Sequence, residues 1–447
     1  MFPLVGIPSS ISNWLQGYRR VFCRKAGFEH ICRYISGLLL SPNKTLQGIY
    51  SRLVFTDGER VSRRAMHESI FESGWSVSEF MSQHRQEVSN FHDGRGREVI
   101  SLDWTLSHHD SSQHIYGAKR AYDYVDNRMS TYQTVMTAAI ANKDRIDGLW
   151  TELQFPNYQK EEQSYLQMTA QSSYEEMEQV NQRLLELLYY HKNRLAYRKR
   201  TEIAVSMVEQ IESEGLFPEA NYAFDNGVLS RPLTELIERC GKHWVSEIEI
   251  SRHILWMEQW QRVDSIAQRL RIEHPESFRA IQVQGRNGEF KNYWAFSKCI
   301  RLKKYGRKRL VIVHETEDLS DTPRFLLSDA RHWEATRIIR TWLSRWPIEV
   351  FHEFCKQVTG LESAQLRNEE AVKRHFALSC VAQSILQSVT GCGEKLERFS
   401  FVKETQSIGQ KVYQLSRESL NTLLRLVQQL LAQERSIEQI LEVLMPN

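Results

Sequence analysis

Cysteine is scarce in this 447-residue chain, and what there is comes unpaired. The seven residues (Cys23, Cys32, Cys240, Cys299, Cys355, Cys380 and Cys392) include no CxxC pair, and their number is odd. That scatter fits neither a zinc-ligand spacing nor a disulfide framework, so reduced thiols in a cytoplasmic protein are expected. Long apolar runs are also missing. Ile35 to Leu40 falls far short of the roughly 18 residues a membrane span needs. The N-terminus lacks a basic segment followed by an apolar one, so export is not expected. Neither a GxxxxGK[ST] element nor a Ser-His-Asp order stands out, which removes support for nucleotide hydrolysis and serine-hydrolase chemistry. There is no internal repeat and no low-complexity tract.

Net charge is small, at +3, because 58 Lys and Arg nearly balance 55 Asp and Glu. It is unevenly spread, however. Residues 1–70 hold 10 Lys and Arg against 4 Asp and Glu, an excess of +6, which leaves the remainder at −3. Such polarity points towards a polyanionic partner at one end. The length exceeds one ordinary core, so two or three domains are expected.

The pattern of residues 1–95 is helical, with candidates at 10–24, 28–40, 45–53, 63–72 and 76–90. Ser76 with Glu79 three positions on reads as a helix start. After residue 97 the period changes to that of strands, at 98–105, 118–125 and 131–140, with Asp103 near the end of the first. Residues 150–172 read as polar and irregular. A helical run from 173 to about 214 is long enough to cross a sheet and return. A short strand ending at Asp225, a helix over 232–240 and a strand over 244–250 follow. Residues 258–271 read as helical. Strands at 278–283, 289–297, 310–314 and 324–328 make 252–330 a β-rich insertion. Within it, seven basic residues and no acidic one lie between Lys298 and Arg309. This stripe carries Lys303, Lys304, Arg307 and Tyr305 and is preceded by Trp294, a composition suited to a phosphate backbone. Helices are expected at 335–358, 368–387 and 407–443, the last with Leu420, Leu423, Leu424, Val427, Leu430 and Leu431 on one stripe.

The chemistry concentrates on residues 341–356. Arg345 to Glu349 is four residues, and Glu349 to Lys356 is seven, so in a helix the three share one face. Ile348, Phe351 and Cys355 can pack the other side. Either an ion-paired surface helix or a metal-binding Glu between phosphate-binding cations fits that spacing. Asp103 and Asp225 at strand ends, with Glu349 on a helix, make a set of hard oxygen donors suited to two divalent ions in phosphodiester chemistry. His108, His109, Asp110 and His114 could ligate a transition metal, but no distant partner set with zinc spacing accompanies them. His352 and Glu353 can shape the site from the Glu349 helix.

The string Trp342-(2)-Arg345-(3)-Glu349-(6)-Lys356, within R-W-P-I-E-V-F-H-E-F-C-K, resembles the Y-(2)-R-(3)-E-(6)-K signature of a large group of bacterial insertion-sequence DDE transposases. The resemblance spans roughly residues 95–395. It implies an RNase H-like mixed sheet with a β-rich insertion; outside it, the residues themselves read as an N-terminal helical DNA-end-binding domain (1–95) and a C-terminal helical region (396–447). The catalytic domain would comprise 96–251 and 331–395, with 252–330 inserted. It implies Asp103, Asp225 and Glu349 as the catalytic, metal-binding triad for two Mg²⁺ or Mn²⁺ ions. DNA contacts are implied for Arg345 and Lys356; Trp342 stands where the signature has Tyr, and Trp294 or Trp346 could stack on a displaced base. The implied activity is cleavage of transposon terminal repeats and their joining to target DNA, by a homodimer assembled on DNA. The alternatives are an inactive DNA-binding relative and an RNase H-like nuclease that does not join.

Overall fold

The computed structural model describes residues 2–55, 61–94, 97–110, 112, 114–171, 173, 176–177, 184–284, 290–389 and 407–445. The fold is mixed α/β, built on one large mixed sheet with helices on both faces. Two short parallel strands, β1 (Leu4–Val5) and β2 (Leu53–Val54), pair with each other beside helices α1 (Ser9–Leu15), α2 (Lys25–Leu40), α3 (Leu46–Tyr50), α4 (Arg63–His67) and α5 (Val77–Ser89). Ser76 caps α5, its side chain accepting from the Glu79 N–H as the sequence suggests. The segments expected to end these helices, 16–21 and 68–72, tighten to 3₁₀ and widen to π geometry respectively.

The sheet begins with a meander of β3 (Val99–His108), β5 (Arg128–Ala141) and β6 (Ile146–Gln154), with β4 (Lys119–Asp123) pairing the start of β5. Helices α6 (Gln159–Gln171), α7 (Leu184–Ala196) and α8 (Arg200–Glu212) cross to β7 (Asn221–Phe224). Then come α9 (Arg231–Arg239), β8 (Trp244–Glu247), β9 (His253–Trp256), β10 (Gln259–Arg262) and α10 (Val263–Glu273). Strands β11 (Arg279–Gln284), β12 (Phe290–Leu302), β13 (Gly306–His314) and β14 (Arg324–Ser328) precede α11 (Ala335–Leu343), α12 (Pro347–Gln357), α13 (Glu369–Ser388), α14 (Ile408–Ala432) and α15 (Ile437–Leu444). The strand order is 10-9-12-13-14-8-7-3-5-4, with β6 also on β5 and β11 on β12. Pairs β3–β7 and β7–β8 are parallel; the others in this sheet are antiparallel. The β-rich segment therefore joins the central strands edge to edge through β14 and β8.

Two cores sandwich the meander. One face buries Val135, Ala139, Ile146 and Leu153 against α12, α13 and the N-terminal helices. The other buries Ile100, Leu102, Met136 and Ala138 against α8, α9 and α10. Period-two alternation along β3 explains the split: Ile100 and Leu102 point to one face, and Ser101, Asp103 and Thr105 to the other. The N-terminal helices are tied in by polar groups. His84 Nε2 lies 3.0 Å from the Gly148 carbonyl oxygen, and the Tyr34 hydroxyl 3.0 Å from His375 Nδ1. The boundaries expected at 95/96 and 395/396 and the residue Cys392 fall outside the described residues. Among the described residues, no helix is long and apolar enough to cross a membrane.

Several expectations need correction. Of residues 150–172, expected to be irregular, 150–154 belong to β6 and 159–171 to α6. Strand β6 was hidden by Asp147 and Gly148, residues that normally mark turns. Asp147 is fully buried there and accepts from Arg145 Nε and Nη2 at 2.6 and 2.7 Å, with His92 Nε2 at 2.9 Å. The run expected over 173–214 is interrupted at residues 197–199; α8 restarts with the Lys199 N–H donating to Glu202 Oε2. Residues 259–262 form a strand before α10, where helix was expected. The tail is two helices with a turn between them, and its leucine stripe is only partly docked. Leu423 and Leu430 are buried, whereas Leu424 and Leu431 are exposed.

Candidate functional site

Pro347 decides the local geometry of the site. It has no N–H to continue the preceding helix, and its fixed φ suits the first position of a new one. The helix expected over 335–358 is accordingly two helices, α11 and α12, joined by a tight turn over 344–346. Arg345 sits in that turn, and Glu349 one turn into α12. Ile348, Phe351 and Cys355 are buried against β5, β6 and α13, as their spacing requires. Glu349 is left facing Arg345, which in turn reaches Asp103 on β3.

The register brings the carboxylates into line. Leu102 on β3 pairs with Phe224 on β7, so Asp103 and Asp225 are next to each other on adjacent strands, about 5 Å apart along the sheet. Asp103 is in the middle of β3, not near its end, since the strand runs on to His108. It pairs with Thr137 and points to the face that α12 covers. Its Oδ1 accepts from the Trp104 N–H at 2.8 Å, and its Oδ2 from Arg345 Nη1 at 3.0 Å. Arg345 Nη2 donates to Glu349 Oε1 at 2.9 Å. One guanidinium thus bridges two of the three carboxylates. The third, Asp225, has its Oδ1 fixed by the Gly227 N–H at 2.9 Å. Burial, then the neighbouring Asp225, pushes the Asp103 carboxyl up to about 6, against the opposing pull of Arg345.

These residues open onto a cleft of about 490 Å³. Asp103, Asp225, Arg345, Glu349 and Lys356 line it, together with His352 and Glu353. Lys356 reaches Glu362 at 3.6 Å. His352 is buried, and desolvation beside Lys356 and Arg345 depresses it to about 3, so it is a neutral imidazole. The remaining expected contacts lie elsewhere. Trp342, on α11, packs against the α11 side of the β-rich strands with Arg324 over its ring at 4.9 Å. Trp346 is exposed at the start of α12, and Trp294 packs into the core on the α8–α10 face. Lys303 and Lys304 form the exposed turn of the β12–β13 hairpin, and Arg307 follows on β13.

The histidines after β3 do not converge. His109 is buried, with Nε2 2.9 Å from Gln133 Oε1, and Asp110 pairs with Arg128. His108 turns to Asp123 at 2.8 Å, and with Asp126 these two offer donor atoms all within 4.8 Å of one another. This His-Asp-Asp group lies in the same cleft. Its valences are largely taken: Asp123 Oδ1 accepts from the Val125 and Asp126 N–H groups, and Asp126 pairs with Arg128.

Two neighbours escaped the sequence reading. Glu247 ends β8, and because Phe224 pairs with Ser246 it stands next in line after Asp103 and Asp225. Its carboxyl is raised by burial, with Asp225 adding to the shift and Arg324 and Arg345 opposing it. No sequence signal marked it, because its place follows from the pairing of β8 with β7. Arg200, at the start of α8, lies with its guanidinium 3.6 Å over the Trp104 ring and donates to Gln154 Oε1 at 3.2 Å. Nothing in its sequence neighbourhood points to the site; only the interruption before α8 brings it there. Compared with known proteins, the chain matches no family model and no curated sequence.

Proposed function

We propose that the chain is a DNA transposase of RNase H-like fold, which cuts the ends of a mobile element to leave a 3′-OH and joins that end to target DNA. The observation that carries this reading is the in-register pair Asp103 and Asp225, faced across the cleft by Glu349 and bridged by Arg345. A three-strand meander continued by two parallel strands, with the carboxylates on its central parallel pair, supports the RNase H-like assignment. So does the position of the β-rich strands, between the second carboxylate and the third.

The donor chemistry fits Mg²⁺ or Mn²⁺. Asp103, Asp225 and Glu349 are hard oxygen ligands, and the raised Asp103 carboxyl marks a negative site that a cation relieves. Two such ions held there would activate the attacking oxygen and stabilise the leaving one. Once its carboxylates are otherwise engaged, Arg345 is free to pair with a phosphate in bidentate geometry, and Lys356 can hold a second one. Neutral His352 keeps a third positive charge out of this wall of the cleft. Joining two ends implies a homodimer assembled on the DNA.

The test is a Mg²⁺-dependent assay on duplexes carrying the terminal repeats that flank the gene. Asp225→Ala or Glu349→Ala is expected to abolish cleavage while end binding persists. Full cleavage by either variant overturns the assignment. Cutting without joined products by the unmodified protein would instead mark a nuclease.

A further inference from the structure

We infer that the chain carries a second nucleic-acid surface, at the end of the sheet remote from the carboxylates, which grips the phosphate backbone of a duplex without acting on it. Strands β3, β7 and β8 are parallel, so they share a direction. Asp103, Asp225 and Glu247 stand at one level; Arg97 and His243 precede β3 and β8 at the other end. Four to six strand residues separate the two levels, about 13–20 Å.

Contacts link the basic groups at that end into one band. Arg337 stacks on Trp333 at 4.0 Å, and Trp333 meets His243 at 5.1 Å. His243, Arg331, His332 and Arg307 line a shared depression with Asp329. Arg309 Nη1 donates to the Arg331 carbonyl at 3.3 Å, which joins β13 to the loop after β14. At the opposite side, Arg97 lies close enough to Arg337 and Arg340 to disfavour their charge, after burial.

Inside the band the counter-charge is outweighed, with Asp329 and Glu334 set among five arginines. Among the described residues, Arg97, Arg307, Arg331, Arg337 and Arg340 have no carboxylate partner, although ion pairs are abundant over the rest of the chain. Asp329 lies within the band, already engaged by His243 Nδ1 at 2.7 Å and the Trp244 N–H at 2.9 Å. Unpaired guanidinium groups held together repel one another, and a polyanion removes that cost by exchanging its counterions for them. The band crosses the ends of β3, β7, β8, β14 and β13, four strand spacings or about 19 Å. A duplex presents one phosphate per ~1.7 Å of axis, about 11 over that span, of which one side faces the protein. Five arginines along that length match a duplex face. Because the site is remote from the cleft, this surface stands whether or not the carboxylates cut DNA.

The test uses the full chain and a fluorescent 30-base-pair duplex of arbitrary sequence, with anisotropy read against KCl concentration. Replacing Arg331 and Arg337 together (Arg331→Ser, Arg337→Ser) removes two exposed cations. The slope of log affinity against log salt is expected to fall by about 2, and low-salt affinity at least tenfold. Matching melting temperatures establish that the double variant folds. An unchanged slope and affinity in the double variant overturns the inference. So does preferential capture of a polyglutamate peptide over duplex of equal charge, which would assign the band to an acidic protein.

Discussion

Asp103→Asn is expected to stabilise the metal-free protein while destroying its activity. In the folded chain the Asp103 carboxyl titrates at about 6, against about 3.9 in an unfolded chain. The folded state therefore prefers the protonated form. The stability that this proton confers is full below about pH 4 and is lost as pH rises through 6. At about 1.36 kcal/mol per unit, the ionised carboxylate costs the fold on the order of 3 kcal/mol at pH 7. Asn is a neutral isostere whose amide oxygen can still accept from Arg345, so most of that cost is expected to disappear. The gain should be about 2–3 kcal/mol, or several degrees in Tm. Denaturation of both proteins in EDTA at pH 7.5 and at pH 4 measures it. The difference should be large at the higher pH and close to zero at the lower. Excess Mg²⁺ should narrow it by stabilising the unmodified chain, since a ligand at 100 times its Kd contributes about 2.7 kcal/mol. Parallel pH profiles, or a variant less stable at pH 7.5, would refute the claim that burial, with the neighbouring Asp225, makes the ionised Asp103 carboxylate costly.

Gly148→Ala tests how Glu349 is held. A Cβ at Gly148 would come 2.3 Å from Cys380 Sγ and 2.6 Å from Phe351 Cζ, so α12 must shift; a loss of about 1–3 kcal/mol in urea denaturation is expected, with a fall in cleavage rate larger than the unfolded fraction explains. Arg85→Ala removes a fully buried guanidinium that bonds Glu214 at 2.5 and 2.7 Å. It should cost about 3–5 kcal/mol, and the double variant with Glu214→Ala should recover part of it; additive losses would count against a coupled pair.

The legible parts of this chain were those governed by short-range periodicity. The hydrophobic side of 348–355 and the cap at Ser76 follow from spacing alone. Asp225 and Glu349 stand where the pattern put them, on a strand terminus and an amphipathic helix. What the pattern missed came from tertiary terms of a different kind. Strand β6 carries Asp147, a residue strands avoid, and it is tolerated because Arg145 and His92 saturate it. Pro347 was visible, yet the i,i+4 spacing from Arg345 to Glu349 concealed the break it imposes. That spacing holds across the turn as well, which is why Arg345 still reaches Glu349 although it belongs to neither helix. Trp342 is the casualty of the break: α11 carries it to the far side, under Arg324. Glu247 needed register, which only pairing with β7 supplies.

The continuous sheet behaves as a beam. Because β14 hydrogen-bonds directly to β8, the β-rich strands cannot swing as a lid, and the cleft and the arginine band keep a fixed spacing set by strand length. On the proposed reading, a duplex seated on both surfaces would have to bend to that spacing. The molecule would then act as a gauge, and DNA of intrinsically pliable sequence would be the cheapest to seat in it.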